Sequence, residues 1–481
     1  MKALFKNRLI LLAIFLVGTM MMFPFHMSAQ TFNIFHTFTN TPDGDSPRSA
    51  FILSGNVLYG VSVEGGQNGV GMVFRMNTDG TDFTNLHSFA LIGANFTNIG
   101  GAYPSGPLLL FSNMLYGITL YGGSGGYGTV YALDTGGMNF TNLHDFSALI
   151  GIGTNSDGAR PQDRLVLYNN TLFGAAPEGG TFGGGSLFSV GINGSGFTNF
   201  YSITTSGGYA PFGGVTLSGN MLYGTASQGY DSSKSFGGSG TIFAVQTNGT
   251  GFTNLYSFSI DYIGGNSDGG FPEDHLILSG NTLYGTAEEG GSSDDGTIFR
   301  INTDGSKFIN LHSFDGTDGK SPFAGVCMSN NVLYGTTGEG GAAGNGTIYQ
   351  FNLNNSNLVT LYSFTATSGS KSTNSDGTEP YPDLLLVSNE LYGLTAAGGL
   401  AGCGTAFTLT LPASPRLSIT PSGTNVLLTW PTNVIGYMLQ STTNLASSAW
   451  NNVSPVPVVI NGANAVTNPA SGSQVFYRLS Q

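Results

Sequence analysis

The chain has 481 residues, of which 75 are Gly, 12% are aromatic, 40% are hydrophobic and only 9% are charged. Aromatic content this high excludes disorder, and the absence of a Gly-X-Y period excludes collagen. A formal charge of −13 without clustered Lys or Arg excludes nucleic acid as a partner. What remains is a turn-dense all-β chain.

Residues 1–29 join Lys2, Lys6 and Arg8 to an apolar run and end in Met27-Ser28-Ala29, the layout of a cleavable export signal. Its removal takes three positive charges, moving the net charge from −13 to −16 and leaving 11 basic residues against 27 acidic. An uncleaved membrane anchor is the rival reading. No later apolar run reaches the roughly 20 residues of a bilayer span.

From residue 30 one unit recurs. Leu-Tyr-Gly, once Leu-Phe-Gly, begins at Leu58, Leu115, Leu172, Leu222, Leu283, Leu333 and Leu391. A Pro stands 11 residues before each Leu, at Pro47, Pro104, Pro161, Pro211, Pro272, Pro322 and Pro380. A Gly follows each, at Gly71, Gly128, Gly185, Gly240, Gly296, Gly346 and Gly404, and opens a Gly-Thr-Ile-Phe-like segment. Six copies close with a motif such as Leu86-His87-Ser88-Phe89 or Leu361-Tyr362-Ser363-Phe364. Short apolar runs punctuated by Gly, Asn, Asp and Ser read as strands joined by tight turns. Copy five, for instance, predicts strands A to D at 274–278, 282–287, 297–302 and 308–314. Four strands per unit of about 50 residues is the count of a propeller blade.

The seventh copy lacks its D motif, and the missing piece stands before the first copy as Phe35-His36-Thr37-Phe38. The spacing predicts a seven-bladed β-propeller over 30–411, with an N-terminal strand at 32–38 pairing the otherwise open edge of the last blade. At its Pro, Leu-Tyr-Gly, Gly-Gly and Gly-Thr-Ile-Phe positions the unit resembles the Gloeobacter–Verrucomicrobia (GloVer) tandem repeat of secreted bacterial proteins. More distantly, the end of strand B resembles a kelch blade. The resemblance implies an exported repeat protein with a variable C-terminal attachment module, secreted or at the bacterial surface, and brings no catalytic residues.

Residues 412–415 read as a linker, and 416–481 as a small β-sandwich, with Trp430 early and Tyr477 late. This tail resembles a fibronectin-III-like module, although its length is short for seven strands. It would serve in attachment, sorting or sugar binding, or simply cap or space the propeller.

Antiparallel A-B-C-D order puts the A–B and C–D turns on one face and the B–C and D–A loops on the other. The strand C aromatic precedes the end of the D motif by 15 residues in six copies, whereas the D–A interval varies from 8 residues (Phe314 to Pro322) to 16 (Phe364 to Pro380). A five-residue insertion in copy four, within 228–239, falls on the same variable face. Sites are built on loops free to vary over a rigid scaffold. Positions flanking the strand A Pro differ between copies and are predicted to ring the central opening: Arg48, Tyr103, Arg160, Gln162, Phe212, Phe271, Glu273, His275, Phe323 and Tyr381. Aromatics mixed with polar groups suit a polysaccharide or protein ligand; aromatic packing between blades is the rival reading.

Acids gather on this face, with Glu64, Glu178, Glu289 and Glu339 before Gly-Gly and Asp43, Asp45, Asp157, Asp268, Asp318 and Asp376 in the D–A loops. Ca²⁺ binding is one reading. Turn chemistry is the favoured one, so no cofactor is expected. His36, His87, His144 and His312 share the register of Tyr201, Tyr256 and Tyr362, which predicts a packing or hydrogen-bonding role. Cys327 and Cys403 are expected as free thiols. No nucleophile elbow is present, so no catalytic residue is assigned. The function expected is a monomeric secreted or surface binding and scaffold protein; the alternatives are an extracellular polysaccharide-active enzyme using loop carboxylates and a purely structural envelope or matrix component.

Overall fold

The computed structural model describes residues 30–204, 207–229, 238–259, 266–412, 416–432, 437–444, 450–460, 462–470 and 474–480. The expected export signal, most of the copy-four insertion and 413–415 of the expected linker lie outside the described residues. Thr31–Leu411 forms one compact unit. It contains seven four-stranded antiparallel sheets, six of them in consecutive order A-B-C-D. The seventh is completed by Thr31–Thr37, which pairs with Thr405–Thr410 as the last blade's fourth strand.

Hydrophobic clusters bridge consecutive sheets all the way round. Leu108 and Tyr131 of blade two pack with Tyr59 and Val73 of blade one, and five further clusters repeat this to blade seven. The remaining cluster joins Tyr392 and Leu394 of blade seven to Phe51 and Phe74 of blade one, closing the ring. Both faces of every sheet are therefore buried, which is why so few residues are charged. Each fully buried large apolar side chain contributes about 1.5–3 kcal/mol.

The repeated glycines have identifiable causes. The strand C aromatic lies across the Gly of Leu-Tyr-Gly, so a Cβ at Gly60 would stand 2.8 Å from Phe74 Cζ, and the same ring-over-glycine contact recurs in all seven sheets. The Gly before strand C has φ between +93° and +104° in every copy and supports the Pro of the next blade: Gly128 under Pro161, Gly296 under Pro322 and, across the closure, Gly404 under Pro47. Pro and Gly thus recur together because they touch between neighbouring blades. A β-bulge at the strand C aromatic interrupts each C–D pairing, fixing that hairpin's length.

The tail forms sheets of four and three strands. Ser418–Ser422, Asn425–Pro431, Ala463–Pro469 and Val458–Ile460 make one; Asn451–Asn452, Met438–Thr442 and Phe476–Ser480 make the other. They share a core of Leu428, Trp430, Leu439 and Val466. Seven strands fit in this length because two of them, Asn451–Asn452 and Val458–Ile460, are only two and three residues long. Among the described residues no helix is long and apolar enough to cross a membrane.

Candidate functional site

The residue before each strand A Pro is held at positive φ: Ser46 (52°), Tyr103 (55°), Arg160 (53°), Ala210 (55°), Phe271 (53°), Ser321 (52°) and Glu379 (56°). This region costs an L-residue about 1–2 kcal/mol. Hydrogen bonds on both sides impose it. The Phe271 N–H donates to Ser239 O of the preceding blade (2.7 Å), while Phe271 O accepts from Glu288 N at the end of strand B (3.1 Å). Tyr103 and Arg160 donate likewise to Val70 O and Tyr127 O, each at 2.8 Å. One backbone geometry therefore displays six kinds of side chain at seven positions.

Residues after the Pro line a cavity of about 120 Å³ at the variable-face end of the ring axis, among them Arg48, Ser105, Gln162, Phe212, Glu273 and Tyr381. The Arg48 guanidinium lies 5.2 Å over the Tyr381 ring and donates to Ser46 Oγ (3.1 Å). Phe323 meets Tyr381 edge-on at 4.9 Å. Burial, then the charges of Asp274 and Glu289, push the Glu273 carboxyl up to about 7. Donors, an acid and aromatic faces converge here, a set able to hold hydroxyl-rich or peptide ligands.

The expected residues do not form a single ring. Tyr103, Arg160 and Phe271 stand apart from this lining. Tyr103 meets Tyr121 edge-on (5.6 Å), and Arg160 bonds Glu178 (2.7 Å) with its guanidinium over Tyr121 (4.9 Å) and Tyr127 (5.6 Å). The cause is the positive φ, which turns the residue before the Pro toward the B–C loops rather than the axis.

Beneath the mouth a charged plug crosses the axis. Arg164 Nη2 donates to Asp383 Oδ2 (2.6 Å), and His275 Nδ1 lies 2.5 Å from Asp274 Oδ1 and 3.4 Å from Asp383 Oδ2. Burial, then the Asp274 charge, raises the Asp163 pKa. For His275, burial and Arg164 favour the neutral ring, but Asp383 and Asp274 outweigh them and raise its pKa. Burial, then the Asp274 charge, raises the Asp383 pKa as well, so Arg164 and His275 face three carboxyls of which two, Asp163 and Asp383, are biased toward the neutral form. Asp163, Asp274 and His275 bring potential metal-ligand atoms within 4.8 Å of one another, and Arg164 already supplies the cation. Of the plug, only His275 is among the expected site residues. The signal for the others is positional: two and three residues after the Pro, Asp163-Arg164, Asp274-His275 and Asp383 stand where other copies carry Ser49-Ala50, Gly213-Gly214 and Ala324-Gly325. Below the plug, a cavity of about 860 Å³ is walled by Ile52, Leu109, Val166, Ile277, Met328 and Leu385.

Most D–A loop acids serve their own loops. Asp157 accepts from His144 Nε2 (3.1 Å), Ser147 N (2.9 Å) and Ser147 Oγ. Asp268 takes Tyr256 OH (2.7 Å) and Ser259 N (3.0 Å), Asp376 takes Tyr362 OH (2.8 Å) and Thr365 N (2.9 Å), and Asp318 pairs with His312 (2.7 Å). Turn chemistry therefore accounts for these acids and for the shared His/Tyr register. His87 and Tyr201 are the exceptions: His87 stacks on Phe140 at 3.9 Å and burial pushes it down to about 4, while Tyr201 bonds Thr204 rather than an acid. Cys327 and Cys403 are free.

Closed sheets around a plugged axis define a β-propeller repeat protein. The chain belongs to the Gloeobacter/Verrucomicrobia repeat family, whose model matches residues 17–237 and 232–374. No curated protein matches it. Similar solved structures include an oligogalacturonate lyase in complex with manganese (12% identity, TM-score 0.48, covering 80% of this chain and 97% of that one). Others are the GH74 xyloglucanase of Xanthomonas campestris (11%, 0.48, 84% of this chain but 59% of that one) and a nidogen/laminin complex (13%, 0.36, 60% and 89%).

Proposed function

We propose that this is a secreted or cell-surface binding and scaffold protein that holds a polysaccharide or protein ligand on the variable-loop face of its propeller. The observation that carries this reading is the display of unlike side chains on one repeated backbone: Arg48, Ser105, Gln162, Phe212, Glu273, Phe323 and Tyr381 occupy the position after the Pro in the seven copies. Scaffold positions repeat, as the Pro and Gly do. The layout of residues 1–29 supports export, and the tail is read as a fibronectin-III-like attachment or sorting module.

The test is a glycan array and a pull-down with the full chain beside an Arg48→Ala/Phe212→Ala/Tyr381→Ala variant of unchanged melting temperature. Binding that the variant loses supports the reading; ligands bound equally well by both would overturn it. A second reading, a polysaccharide-active enzyme, draws on Glu273 and Glu288, both held at about 7, where a carboxyl can act as a general acid. Absence of product from a broad glycan panel at high protein concentration rejects it.

A further inference from the structure

The variable face is divided in its chemistry. Segments 89–104, 121–128 and 146–156 contain no Asp, Glu, Lys or Arg. Leu91, Phe96, Ile99, Ile150, Ile152 and, in the adjoining B–C loop, Phe182 are exposed there, Ile99 at 93% and Ile152 at 94%. These loops are continuous. Asn98 Oδ1 accepts from Gly123 N (3.1 Å), Asn155 Oδ1 accepts from Gly180 N (2.8 Å), and Gly125 packs directly on the Phe146 carbonyl. Isolated exposed apolar residues are ordinary, but a cluster of them, with Arg160 and Glu178 beside it paired to each other at 2.7 Å, marks an interaction surface.

The face over blades five and six is the opposite. Glu273, Glu288, Glu289, Asp294, Asp295 and Glu339 gather there, with Lys320 Nζ 3.7 Å from both Asp295 and Glu339 as their cation. Burial, then Glu273, Glu289 and Glu339, push Glu288 up to about 7, the mark of acids crowded without enough positive charge.

We propose that this face binds a polypeptide with an apolar segment over blades two and three and a basic segment over blades five and six. The inference rests on the binding reading and names the partner class. Charge complementarity selects the occupant: basic residues relieve the acidic side, while aliphatic tips seek apolar side chains rather than the hydroxyls of a glycan.

A phage-displayed dodecapeptide library selected against the full chain tests this. Enriched peptides are expected to pair Lys or Arg with a separate apolar block. Their affinity should fall at least tenfold in Ile99→Ser/Ile152→Ser and, separately, in Glu288→Gln/Glu289→Gln, with salt weakening the parent more than the Gln variant. No enrichment, or peptides indifferent to both variants, overturns the proposal. So does binding to phosphatidylcholine vesicles, or dimerisation in sedimentation, that the Ile variant abolishes. A ligand lost only in the Arg48/Phe212/Tyr381 variant would leave the binding reading standing and this one rejected.

Discussion

Gly296→Ala probes the contact that ties one blade to the next. Gly296 has φ +99°, and a Cβ there would lie 2.7 Å from both Ala287 O and Glu288 O and closer still to Pro322 Cδ. None of these atoms ends a flexible side chain, so backbone must move. Left-handed φ costs alanine about 1–2 kcal/mol, and the forced displacement about 1–3 kcal/mol more, giving about 3 kcal/mol. Gly280→Ala is the control: its φ is +60° and nothing lies within 4 Å, so about 1 kcal/mol is expected. Asn and Ser already hold such φ at the equivalent positions, Asn330 (51°) and Ser388 (58°). Urea unfolding should be followed by far-UV circular dichroism, because Trp430 and Trp450 both lie in the tail and their fluorescence reports the other unit. Equal losses for the two substitutions would refute the packing argument.

Tyr131 and Tyr349 carry buried hydroxyls without a hydrogen-bond partner where five copies have Phe, so Tyr131→Phe should stabilise the propeller by about 1 kcal/mol in the same urea assay. In the plug, Arg164→Met leaves Asp383 facing only His275, at 3.4 Å, and should destabilise by about 3–5 kcal/mol. Asp163→Asn, which mimics the protonated acid, should change stability by less than about 1 kcal/mol. Glu273 and Glu288 have folded pKa values raised to about 7 from 4.5, so the folded state holds their protons more tightly. Their effect is a loss of stability as pH rises from about 4.5 to 7. Melting temperatures across that window should fall less steeply in Glu273→Gln/Glu288→Gln than in the parent.

Strands B and C of blade five run from Thr282 to Ala287 and from Thr297 to Asn302 as the sequence predicts, because their apolar and Gly positions answer to repeated neighbours. Strand A is shorter than predicted, Ile277–Ser279 instead of 274–278, as it is in blades one and six, at Ile52–Ser54 and Cys327–Ser329. The closing strand was legible because its Phe-His-Thr-Phe motif is a displaced copy of a repeated one. The plug was not, because Arg164 and Asp383 meet across 219 residues of sequence and are linked only by their shared register, three residues after the strand A Pro. In the tail, Ala463–Pro469 escaped prediction because only Ala465 and Val466 are buried in an otherwise polar strand. The acids of the variable face looked uniform in sequence, and separated only once loop packing showed which ones their own D strands occupy.

The central claim is that ligand is held on the variable-loop face. A crystal structure of the full chain with a ligand recovered from the array or the peptide selection tests it most directly. Density is expected over the mouth or its flanking loops, within reach of Arg48, Glu273 and Tyr381 or of Ile99 and Ile152. Density confined to the apolar cavity of Leu109, Val166 and Ile277 below the plug would contradict it.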